Sequence, residues 1–139
     1  MQRTYQELYA GQPIAHLAHT VEQYFSTDTP LWWVEPVASP TPQSLFQLRQ
    51  PIACLWLGNA IDQIQGDRHA HVFLVYVDPA HRRCGIGSAL MRQAEAWAKA
   101  RGDRQIGLQV FQTNQPALQL YERLGYQPQS IWMVKGIRP

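Results

Sequence analysis

Two arginines and two glycines stand close together in the middle of the chain, at Arg82, Arg83, Gly85 and Gly87. Glycine lets a backbone approach a ligand closely, and the N–H groups at the start of a helix attract anions. A helix N-terminus contributes about half a positive charge, to which the two guanidinium groups add full charges. These residue types at this spacing therefore predict a turn that binds phosphate.

The segments on either side have the periodicity needed to position such a turn. Residues 71–77 are apolar on both faces, which indicates a central strand, and Asp78-Pro79 ends it. After Gly87 the apolar residues recur at three- and four-residue spacing, which predicts a helix over 87–100 that ends before Gly102. These apolar positions are Ala89, Leu90, Ala94, Trp97 and Ala98. A strand, a basic turn and a helix in this order are typical of a phosphate-binding unit.

The sequence of the turn distinguishes between kinds of phosphate site. A P-loop requires lysine after its last glycine and a Rossmann fingerprint requires a third glycine, whereas Ser88 follows Gly87 here. The hexapeptide R-R-C-G-I-G instead resembles the R/Q-x-x-G-x-G/A signature of the GCN5-related N-acetyltransferases, the GNAT superfamily. In that family the turn binds the pyrophosphate of acetyl-CoA. The resemblance implies acetyl-CoA contacts from Arg82, Arg83, Cys84, Gly85, Ile86, Gly87 and Ser88.

A second segment, farther along the chain, is similar to the same family. Residues 114–126, N-Q-P-A-L-Q-L-Y-E-R-L-G-Y, resemble its N-x-x-A-x-x-x-Y-x-x-x-G-F/Y pattern. The resemblance makes Tyr121 the catalytic acid for the leaving thiolate, and a phenol with a pKa near ~10 is protonated at neutral pH. It also implies that Asn114 contacts the pantetheine or orders the loop. Both residues have simpler interpretations, Tyr121 as a core residue and Asn114 as an ordinary helix cap.

Acetyl transfer also requires a donor for the carbonyl oxygen on which negative charge develops. A preorganised donor contributes about 3 kcal/mol when buried. By resemblance, this donor is a backbone N–H at Tyr76 or Val77, beside a bulge in the central strand. The backbone of Val75, Tyr76 and Val77 is expected to pair with the pantetheine like an added strand, while the valine side chains pack in the core.

The sequence does not identify a general base. An alkylamine with a pKa near ~10.4 is almost fully protonated at pH 7, so some group must accept its proton. The candidates are His69, His71, Glu35 and Asp67. None is assigned, because a histidine on a central strand is more often a core residue. Cys84 beside His81 would allow a covalent acyl-cysteine, which we disfavour because the family transfers the acetyl group directly.

Length and composition indicate a single domain, residues 1–139, with one buried core. The net charge of +2 is too small to suggest a nucleic-acid partner, and no apolar run approaches the ~20 residues that span a bilayer. The two cysteines, Cys54 and Cys84, do not suggest a disulfide framework, and no Cys/His spacing suggests a metal site. We expect a cytoplasmic protein without a signal peptide, a metal, a nucleic-acid partner or a membrane partner.

The remaining segments complete an α+β (mixed α/β) pattern. Helices are expected over 13–25, 87–100 and 114–124, and strands over 44–49, 52–57, 71–77, 105–111 and 129–137. Strand 52–57 is expected to run on toward Ile61, and strand 105–111, reached through a crossover helix, to lie parallel to 71–77. Trp32 and Trp33 lie in a segment interrupted by prolines. This segment is expected either to close an edge of the core, which we favour, or to line an acceptor pocket.

The resemblance implies the GNAT acyl-CoA-binding fold, a mostly antiparallel central sheet with one parallel pair splayed at a bulge, flanked by helices. It also implies an N-acyltransferase that moves an acetyl group from acetyl-CoA to a primary amine in a ternary complex. The acceptor is open between a small-molecule amine and a protein or peptide amine, and the protein is expected to be a monomer or homodimer. The alternative is a non-catalytic acyl-CoA-binding sensor or regulatory module. A purely structural protein would not need a basic anion-binding turn.

Overall fold

A four-stranded mixed sheet forms the centre of the first of two compact units, Met1–Gln109 and Val110–Pro139, into which the chain divides. The computed structural model describes residues 11, 26, 28–36 and 50–139. The helix expected over 13–25 and the strand expected over 44–49 lie outside the described residues. The single domain stays a prediction.

The strands of the first unit lie in the sheet in chain order. They are β1 (Leu31–Val34), β2 (Ala53–Ile61), β3 (Arg68–Val77) and β4 (Ile106–Leu108). β1–β2 and β2–β3 are antiparallel, and β3–β4 is parallel. The mostly antiparallel sheet with one parallel pair is therefore confirmed. Residues 53–58 of β2 are all buried, as expected of a strand covered on both faces.

One long helix connects β3 to β4. A single 3-10 turn, Pro79–His81, precedes α1 (Ile86–Ala100), which packs against β3 and β2. Its buried residues are Leu90, Met91, Ala94 and Ala98. Gly102, with φ +81°, follows the helix end. The predicted crossover helix and the parallel β4 are both confirmed, although β4 is shorter than residues 105–111.

A group of side chains fastens the C-terminal end of α1 to the sheet. The Arg101 guanidinium lies 3.8 Å from the centre of the Trp97 ring. It donates to Asn59 Oδ1 on β2 at 2.7 Å and to Asp103 Oδ2 at 2.5 Å. The Asp103 side chain is only 3% exposed. A buried carboxylate requires such a partner, so this cluster stabilises the junction between α1 and the chain that leads to β4.

The segment around Trp32 and Trp33 is a strand, which the sequence did not predict. Leu31–Val34 pairs with β2 and forms one edge of the sheet among the described residues. Trp33 is 58% exposed. Prolines stand just outside the strand, at Pro30 and Pro36, and an edge strand tolerates them there. The edge-closing interpretation of the two tryptophans fits this position.

The second unit contains α2 (Gln115–Arg123), which matches the predicted helix. Asn114 is its N-cap, and Gly125, with φ +92°, follows its end. The strand expected over 129–137 is wrong, because residues 127–139 form neither helix nor strand and are exposed. A strand requires a ladder with a neighbour, which alternating side chains alone do not provide. Neither described helix is long and apolar enough to cross a bilayer.

Candidate active site

The two parallel strands, β3 and β4, part halfway along β3. The parallel ladder joins Ala70 to Ile106 and ends where Val72 meets Leu108, whereas β3 continues to Val77. On its other side β3 is paired with β2 as far as Val77. The sheet therefore has a seam, which we define as the side of β3 beyond Val72 that points away from β2.

A bulge in β3 lies at the start of this seam. Trp56 pairs with Leu74 and Leu57 pairs with Val72, so Phe73 is the extra residue. Its ring lies over Gly58, where an added Cβ would come within 1.8 Å of Phe73 Cε2. The bulge comes before the positions at which the resemblance places the oxyanion donor, Tyr76 and Val77. A bulge bends a strand and increases its twist, which favours separation from a neighbour.

The turn after β3 is fastened to the strand by backbone and side-chain hydrogen bonds. The Asp78 N–H donates to Ile52 O at 2.7 Å, and Asp78 Oδ1 accepts from the Ala80 N–H at 3.1 Å. Arg82 Nε donates to Val77 O at 2.9 Å, and the guanidinium lies 5.7 Å from the centre of the Tyr76 ring. Arg82 thus holds the turn against the end of β3, a role that the sequence did not indicate.

The start of α1 has the properties of an anion site. Gly85, its N-cap, has φ +81°, a conformation that strongly favours glycine. An added Cβ at Gly85 would meet no atom within 4 Å, so the space above the turn is open. The helix has no side-chain cap in the described structure, and its first turn carries no acidic residue. The first N–H groups of the helix, at Ile86, Gly87 and Ser88, are therefore available to an anion.

The remaining turn residues complete this basic, exposed bend. Arg83 has φ +64°, a left-handed conformation that is uncommon for a residue with a Cβ. Backbone N–H groups in a turn with left-handed residues can point toward one concave side, which suits an anion. Cys84 is exposed and its Sγ–H donates to Arg82 O at 3.6 Å. Since that thiol is directed to a carbonyl and not to His81, its geometry gives no support to a covalent acyl-cysteine.

The structure brings the predicted acetyl-CoA contacts of the first unit together. Val75, Tyr76 and Val77 lie on the seam half of β3, and residues 82–88 follow directly at its end. Pyrophosphate requires positive charge and N–H donors, and both are concentrated in this bend. The residues therefore fit the phosphate end of acetyl-CoA.

The predicted site residues of the second unit lie on α2. Tyr121 is buried, and this burial raises the pKa of its phenol to about 12. Its ring meets the Tyr126 ring edge-on at 5.9 Å, and its carbonyl accepts from the Tyr126 N–H at 2.9 Å. Asn114 Oδ1 accepts from the Ala117 N–H at 3.3 Å, so the asparagine serves as the helix cap. Tyr126 is half-buried, and its ring packs against the ring of Tyr121.

The four candidate bases differ in their surroundings. Glu35 is exposed beyond the end of β1, and Asp67 forms an ion pair with Arg104. His69 is buried and its Nδ1–H donates to Ala70 O at 2.8 Å. His71 is half-buried at the start of the seam, and burial, followed by the charge of His69, lowers its pKa.

Comparison with known proteins agrees with this architecture. The sequence profile of the Acetyltransferase (GNAT) family matches residues 4–126. An uncharacterized N-acetyltransferase of Methanocaldococcus jannaschii is 37% identical over 83 residues, which are 60% of this chain and 34% of that protein. Aminoglycoside N(6')-acetyltransferase type 1 of Acinetobacter haemolyticus is 35% identical over 81 residues, 56% of each chain. The chain thus spans about a third of the first relative and just over half of the second.

Solved structures show the same fold over nearly the whole chain. A Pyrococcus furiosus protein provisionally assigned as an acetyl transferase has a TM-score of 0.73 and 25% identity, covering 98% of this chain and 89% of its own. The aminoglycoside 6'-N-acetyltransferase of Acinetobacter haemolyticus has a TM-score of 0.61 and 22% identity, covering 99% and 93%, and supports the fold alone. With the profile match over most of its length, the chain belongs to the acetyltransferase (GNAT) family.

Proposed function

We propose that this protein transfers an acetyl group from acetyl-CoA to a primary amine by direct attack in a ternary complex. The observation that carries the proposal is the uncapped, basic, left-handed turn at Gly85, placed at the end of a strand that has parted from its parallel neighbour. The turn suits the pyrophosphate, and the seam suits an extended pantetheine arm. A phosphate-binding turn alone would not need the seam.

The arm of acetyl-CoA is expected to lie along β3 beyond Val72. An extended ligand can add to a strand through main-chain hydrogen bonds, and the backbone of Val75, Tyr76 and Val77 is proposed to supply them. Their side chains are half-buried, so the packing of the valines and the binding of their backbone are compatible. The N–H at Tyr76 or Val77 is the proposed donor to the carbonyl oxygen.

Tyr121 is proposed to stabilise the departing thiolate. A phenol with a pKa of about 12 stays protonated at neutral pH. Full proton transfer to a thiolate whose thiol has a pKa near ~8.5 would be uphill by about 5 kcal/mol. Tyr121 is therefore better suited to donate a hydrogen bond to the sulfur than to give up its proton, unless bound acetyl-CoA lowers its pKa. Asn114, as the cap of α2, is proposed to set the start of the helix that carries Tyr121.

The acceptor is proposed to be the primary amine of a small molecule. The relatives include enzymes named for aminoglycosides and for mycothiol, and the names of these proteins support a small acceptor over a protein. The protein is proposed to act in the cytoplasm as a monomer or homodimer, without a metal.

Calorimetric titration with acetyl-CoA tests the cofactor half of the proposal. We expect binding that weakens in Arg83→Gln, which removes a charge from the turn, and is unchanged in Arg92→Gln. Arg92 is an exposed arginine on α1 beyond the turn and is the matched control. Absence of binding at millimolar acetyl-CoA in the unmodified protein would refute the assignment.

An acceptor screen tests the catalytic half. Release of free thiol from acetyl-CoA would be followed with aminoglycosides, amino sugars, polyamines, amino acids and peptides bearing lysine or a free N-terminus. We expect turnover with at least one small amine. Acetyl-CoA binding without turnover across the panel would instead favour a non-catalytic acyl-CoA sensor.

A further inference from the structure

Residues 129–137, which we call the apolar tail, carry a group of large apolar side chains that the chain leaves exposed. Ile131, Trp132, Met133, Val134 and Ile137 are each 81–87% exposed. Single exposed apolar residues are ordinary, but a contiguous patch of more than a few hundred Å² marks an interaction site. Side chains of this kind each bury roughly 100–200 Å², so the five together offer about 600–800 Å².

The apolar tail has the residue pattern of a strand that is covered on both faces. Successive side chains of a strand point to opposite faces, so Trp132 and Val134 would lie on one face. Ile131 and Met133 would lie on the other. Apolar residues on both faces are typical of a strand inside a layered fold, as residues 53–58 of β2 are. In the single chain, however, the apolar tail forms neither helix nor strand.

The edge of the sheet at β4 has the complementary property. In the described sheet β4 is the last strand, and it pairs with β3 on one side only. The sequence predicts a strand over 105–111, yet only residues 106–108 lie in a ladder. Such an edge presents a row of backbone N–H and C=O groups to which another strand can add. One added neighbour would account for both the short β4 and the tail that forms no strand.

We propose that two copies of this chain form a homodimer in which the apolar tail of each copy adds as a strand to β4 of the other. The backbone of the tail extends the ladder along β4, and the apolar side chains of the tail are buried by the partner copy. Because the same contact is made twice about a two-fold axis, the exchange closes at two copies. The two tails and the surfaces that receive them bury about 2,000 Å² or more, which is enough for a stable dimer.

A second copy is favoured over the other possible occupants of this edge. Each copy carries both the tail and the receiving edge, so the exchange satisfies both without a foreign protein. Pairing of the tail with β4 of its own chain would cover the apolar side chains, yet in the single chain these are more than 80% exposed.

Sedimentation equilibrium tests the oligomeric state. We expect the unmodified protein to have twice the mass of one chain at micromolar concentration. Trp132→Asp places a charge among the buried side chains and should raise the Kd of the dimer by at least about 30-fold, as expected for a central tryptophan. Ile64→Asp is the matched control and should leave the Kd within about twofold. Ile64 is 76% exposed, in the turn between β2 and β3.

Disulfides between two different variants test which chain supplies the added strand. One variant carries Gln109→Cys, directly after β4, and the other carries Ser130→Cys, Met133→Cys or Lys135→Cys in the tail. Both also carry Cys84→Ser, because Cys84 is the exposed native thiol. When the two variants are co-expressed and oxidised, we expect a disulfide that joins them for at least one tail position. This measurement does not depend on the folding of Trp132→Asp.

Amide hydrogen exchange distinguishes an added strand from contact between side chains alone. The N–H groups of residues 130–135 should exchange at least about tenfold more slowly in the dimer than in Trp132→Asp. A single-chain mass up to ~100 µM would overturn the proposal. So would a disulfide that forms only within a chain carrying both cysteines, or a dimer whose tail amides are unprotected. The dimer does not depend on acetyl-CoA, so its failure leaves the proposed function untouched.

Discussion

Gly85→Ala separates the stability of the turn from its ability to bind phosphate. The left-handed φ of +81° costs an alanine about 1–2 kcal/mol relative to glycine. The added methyl would meet no protein atom within 4 Å, so no steric term is added in the free protein. It would, however, project into the open space in which the pyrophosphate is proposed to lie. Loss of one charge-assisted hydrogen bond from the helix N-terminus costs about 1.5–3 kcal/mol, or about 10–100-fold in Kd.

Gly66→Ala supplies the control for this change. Gly66 has φ +76° in the turn between β2 and β3, and an added Cβ there also meets no atom within 4 Å. Both variants should lose a similar free energy of unfolding in urea denaturation. Calorimetry should then show weaker acetyl-CoA binding in Gly85→Ala alone. Equal Kd values for the two variants and the unmodified protein would refute the phosphate-binding role of the turn.

Three further changes test the rest of the reasoning. Arg101→Met should lower the free energy of unfolding, measured by urea titration, by about 2–3 kcal/mol, because it leaves the buried Asp103 carboxylate without its closest partner. Arg104→Gln removes one member of an exposed ion pair and should lower the same free energy by at most about 0.5 kcal/mol. Tyr121→Phe should lower turnover and leave the acetyl-CoA Kd nearly unchanged, and unchanged turnover would remove Tyr121 from the mechanism. Because the pKa of the Tyr121 phenol is about 12, a plot of kcat against pH should show no decrease caused by its ionisation below about pH 12. Because the folded-state pKa of His71 is lowered, its neutral form stabilises the fold above pH 6.5, and this contribution should disappear as pH falls through the lowered pKa. Urea midpoints of the unmodified protein and His71→Gln should therefore differ in their pH dependence only below about pH 6.5.

The strand, turn and helix around Gly85 could be predicted from the sequence because their signals are local. Pro79 follows the end of β3 at Val77, and the left-handed conformation at position 85 favours glycine. The apolar spacing of α1 recurs from Ala89 to Ala98. Each signal depends on a few neighbouring residues. The parallel placement of β4 follows from the crossover rule, so topology was predictable once α1 was recognised.

Strand limits were less predictable because they depend on the partner strand. β3 begins at Arg68, earlier than the expected residue 71, since Arg68 pairs with Ile61 after the Asp62–Asp67 turn. Arg68, His69 and Ala70 carry no strand-like alternation of their own. β1 was missed for the opposite reason, because its flanking prolines, Pro30 and Pro36, indicate a loop when only five residues lie between them. Pairing with β2 outweighs both local patterns.

The location of the bulge in β3 could not be predicted from the sequence either. The resemblance placed it beside Tyr76 or Val77, whereas Phe73 is the extra residue. The cause is tertiary: the Phe73 ring packs over Gly58 and lies 5.0 Å from the Trp56 ring. A glycine on β2 is an ambiguous signal until its cross-strand neighbour is known.

The position of the turn after β3 relative to the seam is set by β2 and not by β4. β3 pairs with β2 from Arg68 to Val77, and the chain after Val77 is tied back by the Asp78 N–H to Ile52 O. β4 pairs only with residues 70–72, so it can part from β3 without releasing the turn. Among the described residues, β3 beyond Val72 thus has a strand partner on one side only, and the proposed acetyl-CoA arm would lie along its other side. The Arg82 bond to Val77 O fixes the bend at the end of the strand.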